Sequence, residues 1–377
     1  MSPTRRPTAL LSALLLVAAG ACAGDDGASG SETASTTSTG TTGATTSTTT
    51  TTTGEDTTTG TAGTSTSTGT TTGSTTAAET TGDETTTGTT TGGLLPPPRS
   101  IDDVVDGDVE LISAGHMFTE GPVWDPQGAL LFSDIPANTI HRWAMGEGTS
   151  VFRMPSDNSN GLYFDNEGRL LACEHGARRL SRTEGDQVVT VVDSYEGSKL
   201  NSPNDVVVRS DGSIFFTDPP YGIQPQDQEL AFQGVFLVDP QGALTLLVDD
   251  FERPNGIALS PDEQTLYVSD TQAKHVRSFA VGAGGELSGD AVFVDMDVPG
   301  DGNPDGMAID ALGDLLATGP GGVWVVTREG EHLGTIAVPE IPANCTFGGA
   351  DGKTLFITAR TSVYAVKLKI AGLGWGG

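Results

Sequence analysis

Six residues stand at the same point of a repeated phrase, each at the start of a short apolar segment. They are Glu120, Asn160, Asn204, Asn255, Asp305 and Phe347. Five of the six carry a carboxylate or amide oxygen, and such hard donors suit Ca²⁺ or Mg²⁺ better than a soft metal. An isolated Asn-Gly or Asp-Gly pair is usually a turn. Here the polar residue recurs at one register and changes in type between repeats, which favours a ring of cation ligands.

The spacing of these residues is typical of a β-propeller. Counted from the residue after the leading position, the phrases begin at 121, 161, 205, 256, 306 and 348. Each phrase predicts an apolar strand, a turn rich in Asp, Pro, Asn and Gly, and a second apolar strand. The sequence therefore predicts an all-β domain over residues 99–377, a six-bladed β-propeller. We expect a strand near 109–113 to close the ring beside 362–368.

A second layer of polar residues follows the second strand of each predicted hairpin. Because that strand returns beside the start of the first, its end should lie near the same end of the central channel. The residues concerned include Asp134, His175, Asp218 and Asp270. Asp218 and Asp270 either orient the amide ligands or bind the backbone of a turn, and the sequence leaves both roles open. Aspartates inside the hairpins, such as Asp125, are assigned to turn formation alone.

The N-terminal quarter of the chain is predicted to lie outside the packed domain. Residues 1–22 combine Arg5 and Arg6, an apolar run and a small-residue triplet before Cys22, which is typical of an export signal. Cys22 is the predicted lipidation site, with ordinary cleavage into the periplasm or medium as the alternative. Residues 23–98 are Thr/Ser/Gly-rich and predicted to be a disordered tether. We therefore expect an exported protein, either an outer-membrane or cell-surface lipoprotein or a periplasmic or secreted one.

The composition limits the partners. A formal net charge of −30 argues against nucleic acid as a partner. After the export signal no apolar run approaches about 18 residues, so the predicted membrane contact is through the N-terminal lipid anchor alone. The sequence contains no Gly-x-Ser-x-Gly phrase for a serine hydrolase. We expect a monomer that acts on a small molecule.

Four ordered phrases make the domain resemble the gluconolactonase and senescence-marker-protein (regucalcin) family. They are EGPVW at Glu120, SPNDVVV at Ser202, RPNGIALSPD at Arg253 and NPDGMAID at Asn303. The phrases CEHGARRLSR from Cys173 and NCTFGGADGKTLFITA from Asn344 are similar to the bacterial gluconolactonase branch. The resemblance spans residues 108 to 368 and implies a six-bladed propeller that hydrolyses sugar lactones.

The resemblance also implies a metal centre. Its four ligands would be Glu120, Asn204, Asn255 and Asp305, which all belong to the ring described above. We expect one divalent cation, Ca²⁺ first, with Mg²⁺, Mn²⁺ or Zn²⁺ as alternatives. The cation would polarise the lactone carbonyl and activate water.

Two residues are candidates for the catalytic base. Asp305 is the first, because a carboxylate beside the cation can accept a proton from water, and His175 is the second, as a base or a substrate contact. Asn160, Asp218 and Asp270 would contact the substrate or support the ligands.

Two other functions use the same predicted ring. A non-catalytic propeller could bind a sugar or a partner protein around a structural Ca²⁺. A phosphotriesterase-like hydrolase could use the same cation with different pocket walls. Because propellers carry many unrelated functions, the fold does not choose among them.

Overall fold

The computed structural model describes residues 100–374. The predicted export signal at 1–22 with Cys22, and the predicted tether at 23–98, lie outside the described residues. Within the described range, no helix is long and apolar enough to cross a membrane.

The described chain folds into six antiparallel sheets of four strands each, with a small hairpin between the second and third sheets. The strands, in chain order, are β1 (Glu110–Ala114), β2 (Thr119–Asp125), β3 (Ala129–Asp134), β4 (Thr139–Ala144), β5 (Gly148–Arg153), β6 (Ser159–Phe164), β7 (Leu170–Glu174), β8 (Arg179–Glu184), β9 (Gln187–Val192), β10 (Ser194–Tyr195), β11 (Ser198–Lys199), β12 (Val206–Val208), β13 (Ile214–Asp218), β14 (Gly234–Val238), β15 (Leu244–Val248), β16 (Pro254–Leu259), β17 (Thr265–Asp270), β18 (His275–Val281), β19 (Leu287–Asp295), β20 (Met307–Ile309), β21 (Leu315–Gly319), β22 (Gly322–Val326), β23 (His332–Ile336), β24 (Asn344–Gly348), β25 (Thr354–Ala359) and β26 (Ser362–Lys367). The all-β, six-bladed prediction is confirmed.

The blades pack against each other through the two faces of their inner strands. The blades are numbered in chain order: blade 1 is β2–β5, blade 2 is β6–β9, blade 3 is β12–β15, blade 4 is β16–β19, blade 5 is β20–β23, and blade 6 is β24–β26 with β1. In blade 1, β3 is buried along its whole length, whereas the outer strand β5 is mostly exposed. Successive side chains of a strand point to opposite faces. Leu131 accordingly packs toward blade 2 beside Leu162, while Leu130 and Phe132 pack toward blade 6 beside Phe356. Continuous apolar runs in the inner strands therefore build the interfaces between blades.

The ring closes in blade 6, which contains the first and the last strand of the described chain. Strand β1 pairs antiparallel with β26, with Glu110 opposite Ala365 and Ala114 opposite Ser362. The predicted closure near 109–113 and 362–368 is confirmed. Cys173 in blade 2 and Cys345 in blade 6 are buried free thiols in separate core clusters, so the structure contains no disulfide between them.

Candidate functional site

The structure brings the polar residues of successive blades into one hydrogen-bonded row at the centre of the propeller. The Asn160 Nδ2 group donates to Asn204 Oδ1 at 2.6 Å, and Asn204 Nδ2 donates to Asn255 Oδ1 at 2.5 Å. Asn255 in turn interacts with the Asp305 carboxylate and lowers its pKa. Four of the predicted site residues therefore contact one another in the order of their blades.

The glycine that follows most of these residues lets the next blade approach. A Cβ on Gly256 would lie 2.3 Å from the carbonyl oxygen of Asp305, and a Cβ on Gly306 would lie 1.9 Å from the Asn344 side chain. Real side chains do not tolerate such distances, so glycine is required by close approach rather than by a turn. The Asn-Gly and Asp-Gly pairs are thus part of the central ring.

The sixth ring position is occupied by Asn344 and not by Phe347. A Cβ on Gly306 would meet the Asn344 side chain of blade 6, whereas a Cβ on Gly256 would meet the backbone of Asp305 in blade 5, and the Asn344 side chain also interacts with Glu120 of blade 1. Phe347 is buried in the core cluster of blade 6, where it pairs with Leu355 across β24 and β25. The sequence pattern missed Asn344 because Cys345 follows it in place of glycine.

A further carboxylate, Asp205, lies at the centre and was missed by the sequence analysis. It is buried, and it occupies the position that glycine occupies after Glu120, Asn160, Asn255 and Asp305. Asn344 lies beside both Glu120 and Asp205 and lowers the pKa of each. The departure of Asn204-Asp205 from the Asn-Gly pattern was the signal available in the sequence.

Hydroxyl side chains from the neighbouring blade bind the backbone of the ring residues. Each is the penultimate residue of its blade's second strand and donates to the carbonyl oxygen of the next ring residue. The pairs are Ser133 Oγ with Asn160 at 2.7 Å, Thr217 Oγ1 with Asn255 at 2.6 Å, and Ser269 Oγ with Asp305 at 2.7 Å. The ring residues are therefore fixed at their backbone as well as at their side chains.

Three carboxylates are buried together at this centre: Glu120, Asp205 and Asp305. Burial raises the pKa of Asp205 to about 7. Burial, together with the negative charge of Glu120, raises the pKa of Asp305 well above its ordinary value, and burial likewise raises the pKa of Glu120. The groups that partly offset these shifts are backbone amides and asparagine side chains, not Lys or Arg. Buried carboxylates without a basic partner are costly, and a cation would compensate them.

Two buried oxygen atoms give an independent sign that the residues fit a metal ion. Asp305 Oδ1 and Asn160 Oδ1 have no hydrogen-bond partner in the described structure. An unsatisfied buried acceptor costs roughly 1–3 kcal/mol. Carboxylate and amide oxygens are the donors that Ca²⁺ and Mg²⁺ prefer, so the residues present fit a hard divalent cation.

His175 lies at the edge of this row. Its Nε2 atom is 3.5 Å from Asn160 Nδ2, and burial lowers the pKa of His175 to about 4. The imidazole is therefore neutral at pH 7, but so low a pKa makes it a weak proton acceptor. This environment favours His175 as a substrate contact over His175 as the base.

Tyr221 is a second residue that the sequence analysis missed. It follows β13 in a Pro-Pro-Tyr-Gly segment, and its hydroxyl accepts a hydrogen bond from Asn255 Nδ2 at 3.3 Å. The Arg253 guanidinium lies 5.1 Å from the centre of the Tyr221 ring. Burial and then the charge of Asp305 raise the Tyr221 pKa, which keeps the hydroxyl protonated. This loop therefore places a neutral hydroxyl beside the ring residues Asn255 and Asp305.

Asp218 and Asp270 bind backbone N–H groups, which is one of the two roles that the sequence left open for them. The Asp218 carboxylate accepts the N–H groups of Asn201 and Ser202, both at 2.7 Å. Asp270 binds the backbone of residues 252 and 253 in the same way. Each aspartate fixes the segment that leads into a ring residue, and neither binds the side chain of a ring residue directly in the described structure.

Replacing Gly256 by Ala should disturb this centre through sterics alone. The new Cβ meets backbone of the neighbouring blade, so we expect a loss of about 1–3 kcal/mol in the free energy of unfolding. Urea denaturation measures the loss. Gly107→Ala is the control, because its Cβ would lie 3.7 Å from the nearest atom, the Lys367 Cβ. Equal stability of the two variants would contradict the close approach.

Comparison with known proteins agrees with this architecture. Residues 118–361 match the family model for the SMP-30/Gluconolactonase/LRE-like region. The chain is 36% identical over 308 residues to a gluconolactonase of Zymomonas mobilis, covering 73% of this chain and 85% of that protein. It is 29% identical over 247 residues to a pentonolactonase of Haloferax volcanii, covering 63% and 80%.

A solved structure gives the same result in three dimensions. A gluconolactonase from Xanthomonas campestris superposes with a TM-score of 0.67 at 35% identity, covering 72% of this chain and 95% of that one. The family match covers more than half of the chain, and the relatives are matched over most of their length. The chain therefore belongs to the SMP-30/gluconolactonase/LRE-like family.

Proposed function

We propose that this protein is a metal-dependent hydrolase that opens sugar lactones. The observation that carries the proposal is the central group of three buried carboxylates with unpartnered ligand oxygens, in a chain of the SMP-30/gluconolactonase/LRE-like family. Relatives named gluconolactonase, pentonolactonase and lactonase support the substrate class. The chain is accordingly a lactone hydrolase.

Glu120, Asn204, Asn255 and Asp305 would hold the cation, and Ca²⁺ is the ion that their all-oxygen donor set favours. When bound, the cation supplies Lewis-acid polarisation of the lactone carbonyl. Asn160 offers a further unpartnered oxygen at the same centre.

The protein's own residues account for proton transfer and substrate orientation. Asp305 is the base that accepts the proton of the attacking water, because its Oδ1 atom has no other partner. Neutral His175 and the Tyr221 hydroxyl would contact the hydroxyl groups of the sugar ring. Burial of the centre excludes bulk water and strengthens these polar contacts.

The test is hydrolysis of glucono-1,5-lactone by the purified protein, stripped with a chelator and then titrated with Ca²⁺, Mg²⁺, Mn²⁺ or Zn²⁺. We expect activity to disappear on stripping and to return with the added ion, Ca²⁺ being the most effective. If an ion binds but no sugar lactone turns over, the protein is a binding propeller. Turnover of a phosphotriester in place of lactones would assign it to phosphotriester hydrolysis.

The remaining predictions concern the location and state of the protein. We propose that the chain is exported, is lipidated at Cys22 and is a monomer. The support is the order of charged, apolar and small residues before Cys22. Mass spectrometry of the mature N-terminal peptide would detect the lipid, and Cys22→Ser should move the protein to the soluble fraction. Light scattering of the purified protein measures its oligomeric state.

A further inference from the structure

A second group of ligand-type side chains lies in blade 1, outside the central ring. His116 is in the link between β1 and β2, Asp134 is the last residue of β3, and His141 is on β4. His116 Nδ1 lies 3.7 Å from Asp134 Oδ2, and His141 Nε2 lies 3.8 Å from the same oxygen. Among the residues that the structure describes, no other three His, Cys, Asp or Glu side chains form such a group.

The orientation of His116 is set by hydrogen bonds on its far side. Its Nε2 atom lies 2.8 Å from Ser113 Oγ, which in turn lies 2.7 Å from Thr149 Oγ1. An imidazole that donates from Nε2 presents the lone pair of Nδ1 on the opposite side, toward Asp134. A histidine bound to a metal is commonly oriented in this way by a partner on its other nitrogen.

Both imidazoles also pack on Phe132. The ring of His116 meets Phe132 edge-on at 5.0 Å between centroids, and His141 stacks on it at 5.3 Å. The two histidine rings are thus held on an apolar surface with their nitrogens directed at one carboxylate. Their burial is partial, because His141 remains 17% exposed at its side chain, and this exposure would admit a water molecule.

The carboxylate of Asp134 is fixed by the backbone. It accepts the N–H groups of Met117 and Phe118, as Asp218 and Asp270 accept backbone N–H groups in blades 3 and 4. Only Asp134 among these three belongs to a group of metal-ligand side chains in the described structure. Blades 3 and 4 thus have the same aspartate bound to backbone N–H groups, but of the blades that the structure describes only blade 1 adds two histidines beside it.

The distances suit a shared ion better than direct hydrogen bonds. Separations of 3.7 and 3.8 Å are too long for hydrogen bonds between nitrogen and oxygen. Two ligands of one tetrahedral Zn²⁺ lie about 3.4 Å apart when each bond is about 2.1 Å. A movement of a few tenths of an ångström would bring each histidine nitrogen to that spacing from Asp134 Oδ2, and the three ligand atoms all lie within 4.8 Å of one another.

We propose that His116, Asp134 and His141 form a second metal site, which takes a zinc-class transition ion with water as the fourth ligand. Imidazole nitrogens favour Zn²⁺, Co²⁺ or Ni²⁺, whereas the all-oxygen centre favours Ca²⁺. β1 is the outer strand of blade 6, and His116 lies in the link that follows it. The ion would therefore connect this link to β3 and β4 of blade 1. Its role is to fasten the closure of the ring, and it takes no part in lactone hydrolysis.

The test uses the full-length protein, stripped of metal and then saturated with Ca²⁺ to fill the central site. Zn²⁺ is added by isothermal titration calorimetry, and Co²⁺ is added while the visible absorption of tetrahedral cobalt is recorded. We expect one Zn²⁺ per chain. At a hundredfold excess of free Zn²⁺ over Kd, we expect a rise in Tm of about 5 °C or more.

His141→Ala should weaken Zn²⁺ binding by at least about 100-fold, because it removes a ligand. Loss of a residue that only orients a ligand costs about 10–100-fold. His141→Ala should leave lactone hydrolysis with Ca²⁺ unchanged. His332→Ala is the matched control, because His332 is an exposed histidine of blade 5, and it should bind Zn²⁺ as the wild type does. The proposal is overturned if the Ca²⁺-saturated protein takes up no Zn²⁺. It is equally overturned if His141→Ala binds Zn²⁺ like the wild type. An equal effect of Zn²⁺ on lactone hydrolysis by the wild type and by His141→Ala would also overturn it.

Discussion

Replacing Asp305 by Asn is expected to lower kcat/KM for lactone hydrolysis about a thousandfold. The substitution keeps the shape of the side chain but removes one of the three central carboxylates. It removes the proposed base and a charged ligand together, and losses of this size are typical of groups that stabilise developing charge. Initial rates with glucono-1,5-lactone at saturating Ca²⁺ measure the effect.

The same substitution should change stability in opposite directions with and without the cation. Without a cation, three carboxylates are buried together, so removing one should raise the free energy of unfolding. With Ca²⁺ the wild type should become the more stable protein, because it binds the ion more tightly. Urea denaturation in chelator and in Ca²⁺ gives both values.

Asp125→Asn is the control for this prediction. Asp125 accepts the Gln127 N–H in the turn between β2 and β3, away from the ring residue at the start of β2. Its substitution should leave kcat/KM within about twofold, as is usual for a half-buried turn position away from the site. If Asp305→Asn retained full activity, both the proposed base and the proposed ligand set would be wrong.

Replacing Asn344 by Ala is expected to weaken Ca²⁺ binding by about 10–100-fold. Asn344 lies beside Glu120 and Asp205, and its Oδ1 atom accepts the N–H of Cys345 at 2.8 Å. The side chain is thus fixed by its own backbone while its amide supports two carboxylates. Losses of this size are typical when a partner that orients metal ligands is removed. Calorimetric titration of Ca²⁺ measures the change.

Phe347→Leu is the matched variant that tests whether Asn344 or Phe347 is the sixth ring residue. Phe347 is buried in the core cluster, so the smaller side chain should reduce stability by about 1 kcal/mol or more without changing Ca²⁺ affinity. If Phe347→Leu lost Ca²⁺ binding and Asn344→Ala kept it, Asn344 would not be the sixth ring residue.

The propeller and most of its central ring could be predicted from the sequence because each blade repeats one local pattern. An oxygen donor before an apolar strand marks five of the six ring positions, and the family resemblance that rests on them is confirmed. The pattern failed at Asn344, where Cys345 replaces glycine. Phe347 was aligned with the ring residues in its place, because Phe347 is followed by glycines as most ring residues are.

Other parts of the centre depend on contacts between blades, which a local pattern does not contain. Asp205 becomes a central carboxylate only because blade 3 presents it toward Asn344 of blade 6. Tyr221 reaches Asn255 from a loop whose course no periodicity predicts. The roles of Asp218 and Asp270 were open for the same reason, since the returning loop decides which donor meets each carboxylate.

The pairing of β1 with β26 determines how the domain would respond to mechanical load. Glu110 to Ala114 form the outermost strand of blade 6, and the segment before them also bonds to the chain end through Val104 and Lys369. A force applied to the N-terminal side therefore loads the hydrogen bonds between β1 and β26 and the Val104–Lys369 hydrogen bond first. It loads β2 only after these bonds have broken. Force applied through the predicted tether would act first on the outer strand, and the proposed catalytic residues would keep their alignment until that strand had separated from β26.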